Sequence, residues 1–153
     1  MGQRRQWHNG TGTLRIADAA LTDAALTDAT PTDVTLADAS LADASLADAS
    51  LQVEIAATYG PRRRGLLGRD GIEGAILLTP CNSVHTFRMR FTIDVAYLDR
   101  ELRVVDVQTM KPGRLGRPRL RARHVLEAEA GAMAGWGVRP GVQLSIATAT
   151  RAW

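Results

Sequence analysis

Pro80-Cys81-Asn82-Ser83-Val84-His85-Thr86-Phe87-Arg88-Met89-Arg90-Phe91-Thr92-Ile93-Asp94-Val95-Ala96-Tyr97-Leu98-Asp99 passes from turn chemistry into an alternating segment and then into an apolar run. Pro80 and Asn82-Ser83 are residues that favour turns. From Val84, a period of two puts His85, Phe87, Met89 and Phe91 on one face and Val84, Thr86, Arg88 and Arg90 on the other. A break near Phe91-Thr92 separates that strand from a second one, in which Asp94 lies between Ile93 and Val95. A lone ionised carboxylate is costly to bury, so Asp94 needs a partner. Arg90, across the bend, is the nearest cation in sequence, and an Asp94–Arg90 pair is the expected answer.

Working outward, most other segments also read as short strands. Gly12-Thr13-Leu14-Arg15-Ile16, Leu51-Gln52-Val53-Glu54-Ile55-Ala56-Ala57 and Gly74-Ala75-Ile76-Leu77-Leu78 precede the central stretch. Leu102 to Val107, Val125-Leu126-Glu127 and Val142 to Ala147 follow it. Pro61 can open a short helix that runs to Leu67 and ends at Gly68, and Ala130 to Trp136 can form another, closed by Gly137. Many short strands with frequent Gly and Pro turns predict a mainly β fold, a compact antiparallel sandwich or jelly-roll-like half-barrel with one or two short helices.

Between the first two strands lies a tract of a different kind. From Ala20 to Leu51 the chain repeats every five residues, marked by Leu21, Leu26, Leu36, Leu41, Leu46 and Leu51, with Pro31 taking the slot once. Five residues advance an α-helix by about 140° beyond a full turn, so the leucines would spiral around it. In a strand the odd period throws them to alternate faces. The tract resembles pentapeptide-repeat proteins, whose square β-solenoid stacks a central Leu inward, but it is too short for two full turns and a solenoid needs stacked neighbours. A low-complexity acidic insertion is the preferred reading, ahead of a solenoid or a marginal Ala/Leu helix. The chain then divides into an N-terminal strand region (1–16), the acidic five-residue repeat (17–51) and a β domain (52–153).

Charge follows the same division. Residues 1–16 carry +3, residues 17–51 carry −7 from seven Asp, and residues 52–153 carry +7. Eighteen of the 19 basic residues are Arg, and Lys111 is the only Lys, a bias expected of a GC-rich genome. Cys81 is the only cysteine, which excludes an intrachain disulfide. No apolar run follows Arg4-Arg5, and no segment reaches the ~20 apolar residues of a membrane span, so a cytoplasmic location is expected.

The chemistry-bearing residues are few. A face of His85, Phe87, Met89 and Phe91 can be core or can line an apolar pocket with one polar handle. Arg90, positioned by Asp94, can hold an anion. Cys81 with His85 lacks any sign of the contact and oxyanion donor that a nucleophile pair needs. Cys81, His85, Asp94 and His124 lack the paired spacing of metal ligands. Arg117, Arg119, Arg121 and Arg123 alternate, and if extended would put four guanidiniums on one side, a grip on phosphates or a charged, protected edge strand. No aromatic residues interleave with them to stack bases, which argues against nucleic acid.

Three motifs together resemble the bacterial and archaeal family called domain of unknown function 192 (DUF192), over residues 53–147. They are Arg64-Gly65-Leu66-Leu67-Gly68-Arg69; the stretch Cys81 to Asp99, similar to the family's His-Thr-Phe-containing branch; and Val125-Leu126-Glu127 with Ala130-Gly131 and Gly137-Val138-Arg139-Pro140-Gly141. The resemblance implies a compact, mainly antiparallel β domain with one or two short helices, and no established reaction comes with it. Thr92, Arg88 and Val142 depart from the family pattern, where Pro, a small or apolar residue and Asp are usual. The acidic repeat replaces what is normally a short connection.

The expected ligand-binding residues are His85, Thr86, Phe87, Met89, Arg90, Asp94 and Glu127, serving a small ligand, anionic if Arg90 reads it, or a protein partner. No catalytic residue, metal ligand or cofactor is assigned. A hydrolase-like enzyme using Asp94, His85 or Cys81 is the alternative, and a structural or interaction module acting through the Arg-rich edge or the acidic tract is another. Convergence of His85, Arg90, Asp94 and Glu127 on one concave surface is the feature that would support the pocket.

Overall fold

The computed structural model describes residues 4–17 and 50–149, so the five-residue repeat, apart from its last two residues, lies outside the described residues. Seven strands form one sheet: β1 (Gly10–Ile16), β2 (Leu51–Ala56), β3 (Ala75–Leu78), β4 (Ile93–Leu98), β5 (Val104–Met110), β6 (His124–Glu129) and β7 (Leu144–Thr148). Two short helices, α1 (Tyr59–Arg64) and α2 (Ala132–Gly135), complete the described elements. The order across the sheet is β5-β4-β6-β3-β2-β1-β7. All pairings are antiparallel except β2 with β3, which run parallel because α1 carries the chain back between them.

The sheet curls until its two edges meet at one end. The Val104 N–H donates to the Val142 carbonyl at 2.9 Å, the Gly141 N–H to the Val104 carbonyl at 2.8 Å, and the Leu144 N–H to the Leu102 carbonyl at 3.1 Å. The result is the expected half-barrel, in which each strand sends alternate residues to opposite faces. Inside the curl, Leu14, Val53, Leu77, Leu98, Leu126 and Ile146 form one core. Outside it, Ile76, Val95, Tyr97 and Val125 pack under Leu66, just past the end of α1, and Met89 from the covering loop. Burial on both faces explains why β3 and β4 read in sequence as nearly unbroken apolar runs.

The predicted strand beginning at Val84 does not form. Residues 79–92 make a loop whose one β-bridge among the described residues joins His85 to Leu115, and Arg88 takes a left-handed conformation with φ 61° that ends the alternation. Val84 and Thr86 turn inward, His85 and Phe87 outward, and Met89 inward again. The Arg117–Arg123 row fails for a similar reason. The chain turns at 120–121, and Arg119 folds back over the Tyr97 ring at 4.6 Å to pair with Asp106 at 2.7 Å.

Candidate functional site

Glu127 stands in the middle of β6, with Val95 of β4 and Ile76 of β3 as its cross-strand neighbours. In a residue only 4% exposed, a carboxyl flanked by two aliphatic side chains keeps only a narrow opening to water. No described group hydrogen-bonds or ion-pairs with it. Burial alone pushes its pKa from 4.5 up to about 7. Near neutral pH it is therefore divided between a proton donor and an unpartnered anion.

The carboxyl faces a recess of about 160 Å³ on the outer side of the sheet. Gly65, Leu66 and Arg62-Arg63-Arg64 form one wall, and Cys81, Ser83, Val84, His85 and Met89 form the other. The wall depends on Gly65, which ends α1 with φ 46°; a side chain there would be strained and would meet the Glu127 carboxyl at 3.7 Å. Arg62 is tied to the opposite wall by a 2.7 Å bond from its guanidinium to the Pro80 carbonyl. On that wall the Ser83 hydroxyl donates to the Gly116 carbonyl at 3.0 Å, and the Cys81 thiol donates to the Ser83 carbonyl at 3.1 Å. Burial raises the Cys81 pKa, and the nearby Glu127 charge adds to that rise. The Arg62 charge across the recess works against this rise without overcoming burial, so Cys81 stands as a thiol donor rather than an activated thiolate.

Of the seven residues expected to line a pocket, the recess brings together His85, Met89 and Glu127. Phe87, 46% exposed, stacks on the outward His85 ring at 5.1 Å. Thr86 is fully buried; its hydroxyl donates to the Lys111 carbonyl at 2.7 Å and accepts from the Arg114 N–H at 2.8 Å, which pins the neighbouring loop. Arg90 is an exposed residue paired with Asp70 at 3.0 Å. Asp94 lies on the opposite face of the sheet from Glu127. Its Oδ1 accepts from the Thr109 hydroxyl at 2.7 Å, and its Oδ2 accepts from the Gly131 and Met133 N–H groups at 2.9 and 3.2 Å. The expected Asp94–Arg90 pair is thus replaced by a clamp that seats α2 in one end of the half-barrel. The Arg62-Arg63-Arg64 wall and Ser83 were not foreseen, although the triple-Arg run was visible just before the Gly65 motif. Among the described residues, no three His, Cys, Asp or Glu side chains gather as a metal site. No described helix is long and apolar enough to cross a membrane.

A curled half-barrel with a buried carboxyl beneath a Gly-ended helix defines the class of domain. Residues 42–146, more than half of the chain, match the family described as DUF192, Uncharacterized ACR, and the chain belongs to that family. It is similar to a UPF0127 protein of Pyrococcus horikoshii, 36% identical over 85 residues that make up 52% of this chain and 74% of that one. A UPF0127 protein of Thermococcus gammatolerans is 34% identical over 99 residues, 61% of this chain and 65% of its own. Two solved structures share the fold. A Novosphingobium aromaticivorans protein of unknown function superposes with a TM-score of 0.57 at 20% identity, over 63% of this chain and 75% of that one. A Sinorhizobium meliloti protein described as a candidate transcription regulator superposes with a TM-score of 0.63 at 16% identity, over 93% of this chain and 98% of that one. At those identities the likeness is one of fold.

Proposed function

We propose that this DUF192 domain binds a small ligand in the recess above Glu127, with an anionic group of the ligand meeting the Arg63-Arg64 wall and a hydrogen-bonding group meeting Glu127. The observation that carries this reading is the unpartnered Glu127 carboxyl. No fully buried side-chain oxygen among the described residues lacks a partner, so the Glu127 carboxyl keeps an opening to the recess, and a ligand there would replace water with a charge-assisted hydrogen bond worth roughly 1.5–3 kcal/mol. The recess is smaller than the roughly 300–1,000 Å³ of drug-sized sites, so it suits a short acid or the end of a longer molecule. Its apolar lining by Leu66, Leu78 and Met89 would exclude water from the contact. Binding, rather than hydrolysis, fits the bonded thiol of Cys81 and the structural use of Asp94.

Thermal-shift titration tests this with short carboxylic acids, hydroxy acids and neutral sugars. The acids should raise the melting temperature of the wild type and of Arg90→Ala equally. They should fail to do so for Glu127→Gln and for the Arg63→Gln/Arg64→Gln double variant. Equal shifts in all four proteins, or none from any compound in the wild type, would sink the proposal.

A further inference from the structure

The end of the half-barrel opposite α2 is open, and cations gather there. A hollow of about 330 Å³ is lined by Arg4, Arg5, Arg100 and Arg123 around Trp7, Thr79 and His124. The arginines come from three separate segments: the N-terminal arm, the β4–β5 turn and the approach to β6. None of the four forms an ion pair among the described residues. Asp99, the acid whose charge reaches His124, is turned aside; its Oδ1 accepts from the Glu101 and Arg103 N–H groups at 3.0 and 2.9 Å. The floor is polar but uncharged. His124 is buried with its Nδ1 2.7 Å from the Thr79 hydroxyl, and burial pushes its pKa down, so it stays neutral at pH 7. Trp7 closes the floor, edge-on to His124 at 5.6 Å.

Four like charges lining one hollow, with no carboxylate among its lining residues, repel one another, and a bound anion reduces that repulsion. We propose that this mouth is a binding site for a small molecule of the pyrophosphate class, distinct from the recess above Glu127. Arg suits phosphate oxygens because its planar fork donates two parallel hydrogen bonds. A single-stranded nucleic acid needs an open aromatic face for base stacking, and here the Arg5 guanidinium covers the Trp7 ring at 4.9 Å. Because Arg4 and Arg5 belong to the N-terminal arm, occupancy would also fasten that arm to the barrel mouth.

Calorimetric titration of the full chain with sodium pyrophosphate, at constant ionic strength, tests the proposal. One saturable site per chain is expected. Arg100→Gln and Arg4→Gln should each weaken it by about tenfold or more, the cost of one charge-assisted hydrogen bond. Neither side chain makes a hydrogen bond to another described residue, so folding should survive, and a circular-dichroism melt checks it. Arg90→Gln, at an exposed residue that lines neither cavity, should leave the affinity unchanged. A nucleoside diphosphate binding as tightly as pyrophosphate, or more tightly, supports a phosphate ester as occupant, and a clear preference for pyrophosphate supports the free anion. Lack of saturation, wild-type affinity in both arginine variants, or tighter binding of a single-stranded oligonucleotide at the same ionic strength would overturn it.

Discussion

Asp94 and Glu127 stand one register step apart on neighbouring strands, since Val95 pairs with Glu127 and Asp94 with Ala128. Both are carboxylates, both are 4% exposed, and each sits in an apolar run. They face opposite sides of the sheet, and their surroundings differ in the one respect that decides their roles. Asp94 receives three donors, two of them the backbone N–H groups of Gly131 and Met133 at the start of α2. Glu127 receives none from the described residues. Burial is therefore a poor guide to function by itself. The supply of partners separates a carboxylate that holds the fold together from one that no described donor meets.

The largest effect expected from this contrast is at Asp94. Asp94→Ala leaves the Thr109 hydroxyl and two N–H groups without their acceptor and removes the clamp on α2. A loss of roughly 3 kcal/mol or more is expected, read as a fall in the urea midpoint at constant slope. Glu127→Gln should act in the opposite direction, in a way that pH reveals. With a folded pKa of about 7 against 4.5 for the free group, the wild type takes up a proton on folding between those values. Its stability is then fully present below pH ~4.5 and falls as pH rises through 7, by roughly 3 kcal/mol, levelling off above. Gln carries no such dependence. Urea midpoints at pH 5 and pH 8 should show the variant gaining on the wild type at the higher pH. Parallel profiles would mean that Glu127 has a partner after all, and the contrast with Asp94 would collapse.

The reasons for the successes and failures of sequence reading are visible in the same two residues. Asp94 was legible as a buried carboxylate because Ile93 and Val95 flank it, and a partner was rightly demanded. Its partners are not legible, because sequence distance favours the nearest cation, Arg90, over donors 37 and 39 residues away that only the folded sheet brings close. Glu127 could be singled out from its motif, but the absence of a partner is a tertiary property. The strands themselves were readable where burial on both faces made continuous apolar runs, as in β3 and β4. The His85-Phe87-Met89 alternation misled because one left-handed residue, Arg88, inverts the register after it, and no periodicity signals that. The parallel pairing of β2 with β3 was equally hidden, since it depends on where α1 crosses.

Arg90 gives the smallest and most discriminating prediction. Its pair with Asp70 is exposed on both sides, with side chains 60% and 86% accessible, so solvent screens the attraction and side-chain ordering offsets the remainder. Arg90→Ala should change stability by no more than about 0.5 kcal/mol, and its effect should add to that of Asp94→Asn without coupling. If Arg90 did neutralise Asp94, as their closeness in sequence suggests, removing it would leave a buried charge unpaired, at a cost nearer 3–5 kcal/mol, and the two substitutions would couple strongly. A double-mutant cycle decides between these outcomes. A coupling above ~1 kcal/mol would show that Asp94 needs a cation as well as its three donors, and that the two buried carboxylates differ less than their hydrogen bonds imply.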